Sequence, residues 1–406
     1  MERPILLVPN QTGAGHNMRA LAIAQEIKQL SPTQPVAVLL GSLQSTFKPL
    51  FENEGVSVIS TEDANVDHSK SAHLTWNLDK HSYIDQYLVP TFFNGSRILE
   101  YLAYFREIDP VLVVSDYNLS ASVGAIIGGY RHILVTERYD FSVVQLSDED
   151  FRSAGFDVNV REMKSMRLVL TRVFEWILNN SELVLTDKPA VHQLDEDSAL
   201  YRRFNCANVK FVGPMTRRTD EEGCPSDVIK DFAFSSDPLI VASVGGTTMF
   251  LEDKIKAIEV YRDAFSLLRN YNPRVQMILI GRSEGISGVE GVTVVDYVPN
   301  WIPLLKRACM LISQPGWITV TEAAALGVPA TFVLPGLGEY HEIEASRRLR
   351  ILGFPSLIDP TPEELCMYMR SGVEGRLAES CRAGFAALAP DGRGTETAVR
   401  LILEAL

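Results

Sequence analysis

Three short stretches hold residue types and spacings that could do chemistry. In NQTGAGHNMRALAIAQEI (10–27), Gly13, Gly15 and His16 follow directly on the apolar run PILLVP (4–9). The glycines permit a tight turn and a close approach to the backbone. His16 falls where strand gives way to helix, so its imidazole would project over the strand ends and could move a proton near neutral pH. The same letters also describe a glycine-rich βα turn with an incidental histidine. The pattern is not GxGxxG and no Walker lysine follows, so dinucleotide and P-loop readings are weak.

SVGGTTMFLEDKIKAIEV (243–260) uses a similar device. Gly245, Gly246, Thr247 and Thr248 set amides and hydroxyls at a helix start, which makes either a phosphate cradle or a flexible turn. In SQPGWITVTEAAALGVPA (313–330), a Pro-Gly turn opens a helix at Gly316, Trp317, Ile318 and Thr319, and Gly327 and Pro329 stop it. The first amides of a helix lack intrahelical partners and lie at the positive end of its dipole, which suits a diphosphate. Glu322 stands one turn further on, where a carboxylate could accept from two vicinal ribose hydroxyls. The alternative is a solvent-facing glutamate that complements the dipole.

These stretches need strands behind them. Short apolar runs alternate with helical patterns: PILLVP (4–9), PVAVLL (35–40), VSVIS (56–60), VLVVSD (111–116), HILVTE (132–137), ELVLTD (182–187) and VKFVG (209–213). The alternation restarts at PLIVASVGG (238–246) and continues with VQMILIG (275–281), VTVVDY (292–297), CMLIS (309–313) and TFVLP (331–335). Runs apolar on both faces and separated by helices predict parallel sheets covered on both sides. The fold class is therefore α/β, with two doubly wound, Rossmann-like domains. In such sheets ligands bind at the carboxyl ends of the strands, which is where the three stretches lie. The expected domains are 1–215 and 237–388, joined by a polar linker at 216–236, with a last helical segment at 389–406.

Length and composition set bounds. A chain of 406 residues exceeds what one core normally serves. Hydrophobic residues at 46% and charged residues at 22% fit a protein that buries a full core. The net charge of −13 disfavours nucleic acid and anionic lipid surfaces. Five cysteines without CxxC spacing predict a reducing compartment. The start lacks signal-peptide features and no apolar stretch approaches the ~20 residues of a spanning helix, so a cytoplasmic location is expected. The triplets Asp148–Asp150 and Asp195–Asp197 read as helix caps and solvated acids rather than metal ligands, and no other cluster has metal spacing.

Taken together, GAGHNMRALAIA (13–24), VSDY (114–117), VGGTT (244–248) and SQPGWITVTEAAALGVPATFVLP (313–335) resemble glycosyltransferases of the GT-B fold. The similarity is to the inverting branch that contains the lipid II N-acetylglucosaminyltransferase and the macrolide and plant secondary-metabolite enzymes. It spans both domains and is most specific in the last segment. It implies two Rossmann-like domains facing across a cleft, with the C-terminal helix crossing back to the first domain and a hinge movement on donor binding. It also implies inverting, metal-independent transfer from a nucleoside diphosphate sugar, UDP-linked, with no cofactor. His16 takes the position of the general base and Asp116 that of the aspartate orienting it. Gly316 and the amides of 317–319 hold the diphosphate, the loop 245–248 closes on it, Glu322 binds ribose, and Tyr297 and Val298 pack the base. Chemically, inversion needs a base for the acceptor's proton, and amides at a helix end can meet the charge gained by the leaving diphosphate.

The pattern departs after strand 331–335. Glu344-Ala345 stands where Asn-Ala is usual in the family, which puts Tyr340 and His341 at the positions that grip the sugar hydroxyls. Acids at 339, 342 and 344 could favour an amino sugar, or could simply open an amphipathic helix. The aromatics of 73–93 and 166–178 read as packing, some of them lining the acceptor side. The acidic chain shows no dense basic run in its first domain, so the expected acceptor is a small water-soluble molecule, a cationic one on charge alone, with membrane association disfavoured. Two other readings remain open. One is a nucleotide-sugar epimerase or hydrolase of the same fold, or a glycolipid-forming transferase. The other is a silent nucleotide-sugar-binding protein.

Overall fold

The apolar runs form two all-parallel sheets in a computed structural model that describes residues 3–11, 14–61, 95–155, 158–218, 236–244, 251–281, 289–295, 298, 300–337 and 340–406. The first sheet holds β1 (Ile5–Pro9), β2 (Val36–Leu40), β3 (Ser57–Ser60), β4 (Leu112–Asp116), β5 (His132–Val135), β6 (Leu183–Thr186) and β7 (Val209–Phe211), in the order β3-β2-β1-β4-β5-β6-β7. The second holds β8 (Leu239–Ser243), β9 (Gln276–Ile280), β10 (Val292–Val295), β11 (Met310–Ser313), β12 (Ala330–Leu334) and β13 (Ser356–Ile358), in the order β10-β9-β8-β11-β12-β13. Each order runs outward one way from its first strand and then reverses. The reversals, between β1 and β4 and between β8 and β11, are the points at which doubly wound sheets bind ligands.

Burial explains the strands. Every residue of β1, β2, β4 and β12 is buried, so aliphatic side chains on both faces meet helices. Each such side chain taken from water contributes about 1.5–3 kcal/mol. β13 lies outside the expected strands. Its three residues are too few for a periodic signal, and its place at the sheet edge is fixed by pairing Phe332 with Ser356 and Leu334 with Ile358.

The chain divides into two compact units, one of Met1–Asp148, Val158–Arg218 and Asp391–Leu406, the other of Glu149–Asp157 and Thr219–Pro390. In the first unit the helix Gly394–Glu404 packs on the helix Ala14–Leu30. Thr395 Oγ1 donates to the Thr216 carbonyl at 2.9 Å, and a Cβ on Gly394 would come within 2.2 Å of the Pro214 carbonyl oxygen. In the second, the helix Trp317–Leu326 ends at Gly327, whose φ of 65° is the left-handed conformation that a C-terminal glycine supplies.

The acid triplets are mixed: Glu149, Glu196 and Asp197 are exposed, as expected of solvated acids, whereas the other three are engaged. Asp148 accepts from Arg167 Nη1 at 2.6 Å, and Asp150 pairs with Arg347. Asp195 is buried and accepts from the Val191 amide at 2.7 Å, which is a cap of its short helix. The linker residues 219–235 and the aromatic stretch 73–93 lie outside the described residues.

Candidate functional site

At the first switch point the chain ends β4 on Asp116 and β1 on Pro9, which pair in register. Asn10 N–H donates to the Asp116 carbonyl at 2.9 Å, so the two strand ends are tied where the helix Ala14–Leu30 begins. On that helix His16 and Arg19 are three residues apart and share a face. His16 Nδ1 lies 2.8 Å from Asp116 Oδ1. An ionised carboxylate only accepts, so the ring donates from Nδ1 and Nε2 is left as the acceptor. Tyr117 closes one side. Its ring plane is within 13° of the imidazole, centroids 6.4 Å apart, and its backbone takes φ 46°, uncommon for a tyrosine and held by Asn10 Nδ2 donating to its carbonyl. Burial pushes the Tyr117 phenol well above its ordinary range, so it stays protonated.

Behind this pair lies a charge network that sequence reasoning missed. Arg19 is fully buried. Its Nη1 donates to Asp116 Oδ1 at 2.8 Å, its Nη2 to Glu137 Oε2 at 2.8 Å and its Nε to Asp187 Oδ2 at 3.1 Å. Burial alone would raise the Glu137 carboxyl, but Arg19, His16, Arg138 and Lys188 outweigh it and hold it below the carboxylate range. At Asp187 burial prevails over Arg19 and lifts the carboxyl to about 6. A signal for this network exists in the sequence. At or just past the ends of β4, β5 and β6 stands a hydroxyl residue followed by an acid: Ser115-Asp116, Thr136-Glu137 and Thr186-Asp187. The threonine hydroxyls turn the chain there, Thr136 Oγ1 accepting from Arg138 N at 2.9 Å and Thr186 Oγ1 from Lys188 N at 3.2 Å. Glu137 and Asp187 follow these turns and meet Arg19 at the switch point.

At the second switch point β11 leads through Gln314 and Pro315 into the helix Trp317–Leu326, with Gly316, which has no side chain to form a cap bond, as N-cap. Gly316 has φ −53° and ψ 124°, which any residue adopts, so the glycine is not needed for its backbone angles. What it provides is space: an added Cβ would meet nothing within 4 Å among the described residues. Trp317 is buried in the core, while Ile318 and Thr319 are half-buried. Glu322 is 2% exposed, which removes the solvent-facing alternative, and its Oε2 accepts from Trp301 Nε1 at 2.7 Å.

The remaining candidates fall as follows. Gly15 sits in the first turn of its helix, and Val298 is buried in the core of the second unit. Gly13, Gly245, Gly246, Thr247, Thr248 and Tyr297 lie outside the described residues, as do the side chains of Tyr340 and His341, whose backbones open the helix Tyr340–Leu352. Glu344, one of the acids that could favour an amino sugar, is buried and bonded to Arg348 Nε at 2.6 Å, one turn along its own helix. Among the described residues no group of three His, Cys, Asp or Glu could hold a metal ion, and no helix is long and apolar enough to cross a membrane.

Comparison with known proteins places this geometry. No family model matches the chain. An uncharacterised glycosyltransferase of Methanopyrus kandleri is 27% identical over 202 residues, which is 48% of this chain and 54% of the relative. This chain thus spans about half the length of the curated relative it matches. Among solved structures, the calicheamicin glycosyltransferase CalG4 superposes with a TM-score of 0.66 at 17% identity, covering 100% of this chain and 99% of that one. A putative UDP-N-acetylglucosamine 2-epimerase from Listeria monocytogenes superposes with a TM-score of 0.64 at 10% identity, covering 99% and 95%. The fold is that of the GT-B glycosyltransferases, two parallel α/β sheets each wound on both sides.

Proposed function

We propose that this chain is an inverting glycosyltransferase that moves a sugar from a nucleoside diphosphate, UDP-linked, to a small soluble acceptor. The observation that carries the reading is the 2.8 Å bond from His16 Nδ1 to Asp116 Oδ1 at a sheet switch point, which leaves Nε2 as a base. The acceptor hydroxyl gives its proton to His16 Nε2 as its oxygen attacks the anomeric carbon. The bond from that carbon to the phosphate oxygen breaks, and the nucleoside diphosphate leaves with the electron pair. Its added charge meets the positive end of the helix that opens at Gly316–Thr319. Glu322 accepts from the ribose hydroxyls, and no resident cofactor takes part. Tyr340 and His341 are assigned to the sugar hydroxyls, and Gly245–Thr248 and Tyr297 to the diphosphate and base, on the resemblance alone. Cysteines without CxxC spacing fit the reducing cytoplasm, and the acidic chain fits a soluble secondary metabolite as acceptor.

Two experiments test this. A thermal-shift panel of UDP, TDP, GDP and CMP identifies the nucleotide, because a ligand that binds only the folded chain raises its melting temperature. With that donor, His16→Ala abolishes transfer while leaving donor binding intact. The likeness to an epimerase favours a second reading, nucleotide-sugar epimerisation or hydrolysis. An epimer or free sugar formed at full rate from donor alone selects it and removes the transferase.

A further inference from the structure

The His16–Asp116 pair does not stand alone: His16 Nδ1 and Arg19 Nη1 both lie 2.8 Å from the same oxygen, Asp116 Oδ1. Asp116 Oδ2 is buried and has no hydrogen-bond partner among the described residues. The carboxylate is therefore oriented through one atom, and the second donor on that atom is a guanidinium that cannot lose its proton. We propose that Arg19 is the positioning residue of the pair, fixing which Asp116 oxygen the imidazole meets and so imposing the Nδ1–H tautomer that leaves Nε2 free to accept. The inference rests on His16 acting at the site proposed above, but its chemistry concerns this chain's own groups.

The surroundings of Arg19 suit positioning rather than simple ion pairing. Its three nitrogens are assigned to three strand ends: Asp116 after β4, Glu137 after β5 and Asp187 after β6. A planar fork held at three points cannot rotate, whereas a lysine would offer one point charge on a flexible stem. The charged groups facing the dyad are Arg19 on its own helix, Asp116 after β4, Glu137 and Arg138 after β5, and Asp187 and Lys188 after β6. Glu137 is an anion whose charge interacts with that of His16, so removing it without changing shape disfavours the imidazolium.

Two variants and one spectroscopic readout test the idea. Arg19→Lys keeps the charge and loses the fork; Glu137→Gln keeps the shape and loses an anion. In the parent, ¹⁵N shifts of the His16 ring, assigned by its loss in His16→Asn, report a single Nδ1–H tautomer at pH 8. Arg19→Lys, where its melting curve shows a folded protein, gives a mixture of tautomers and a kcat lower by roughly 10- to 100-fold with the donor KM unchanged. Glu137→Gln moves the midpoint of the His16 ring titration to lower pH by about half a unit or more, and the acid limb of the pH–rate profile moves with it. A folded Arg19→Lys that keeps the single tautomer, or a Glu137→Gln titration superposing on the parent, overturns the proposal and leaves Arg19 a structural residue. The ring titration needs no substrate, so tautomer results as expected with no sugar transfer would refute the transferase reading and leave the positioning role standing.

Discussion

Replacing Gly316 by valine separates ligand binding from folding at the second switch point. The backbone there, φ −53° and ψ 124°, accommodates a β-branched residue, and a Cβ meets nothing within 4 Å among the described residues. Losing glycine as N-cap costs at most about 1 kcal/mol, and restricting the unfolded chain returns about 0.4–1 kcal/mol. The net change stays below about 1 kcal/mol, a melting shift of at most ~4 °C for a unit of this size. Binding behaves differently, because the new methyls occupy the space in which the diphosphate meets the helix amides. At 100 times its Kd a nucleotide stabilises the parent by about 2.7 kcal/mol, whereas a 100-fold weaker Kd leaves about 0.4 kcal/mol. The nucleotide-induced rise of roughly 5–10 °C then falls to about 1 °C. The assay is a melting curve of parent and Gly316→Val, each with and without the nucleotide selected by the panel. A valine variant that melts like the parent and still gains the full rise refutes the placement of the diphosphate.

Further outcomes concern other groups. Asp116→Asn replaces a charge-assisted bond to His16 by a neutral one, a loss of about 1–2 kcal/mol, so initial rates fall roughly 5- to 30-fold; full activity with an unmoved pH profile contradicts the role of Asp116. Glu322→Gln removes the anion expected to hold ribose, and the parent's preference for a ribonucleoside diphosphate over its 2′-deoxy analogue, measured by calorimetric titration, drops by about tenfold or more. His132 is buried between Ser115 Oγ and Ser181 Oγ, and burial lowers it to about 3. The unfolded chain takes up that proton near pH 6.5 and the folded one does not until about 3, so stability present above pH 6.5 is lost as pH falls through this window. His132→Gln flattens the urea-measured stability slope between pH 6.5 and 4.5 by up to about 1.4 kcal/mol per pH unit, and an unchanged slope contradicts the burial account.

How much of this was legible in the sequence differs by residue, for physical reasons. Strands such as Ile5–Pro9 and Leu112–Asp116 announce themselves because both their faces are buried and consecutive aliphatic side chains fill them. Ser356–Ile358 does not, because three residues at a sheet edge carry no period. His16 was legible because a histidine at the mouth of a βα turn has few structural uses. Arg19, one turn on in an alanine-rich helix, reads as a surface cation, and only partners 97 to 168 residues away explain its burial. Asp148 and Asp150 misled for the same reason, their arginines lying 19 and 197 residues off. Glu344 could have been read: Arg348 stands four residues later, the spacing of a helical ion pair, but nothing in that spacing says that the pair is buried.

The discontinuity of the first unit has a consequence for biosynthesis. The helix Gly394–Glu404 lies on the helix Ala14–Leu30, and Thr395 bonds back to Thr216, 179 residues earlier. At 5–20 residues per second a ribosome needs roughly ten to forty seconds to traverse that interval. Throughout it the nascent first unit has all its strands but an unsealed seam along its opening helix. The helix Ala14–Leu30 is thus made well before the partner that seals it, and the interval is when chaperones would find that seam open.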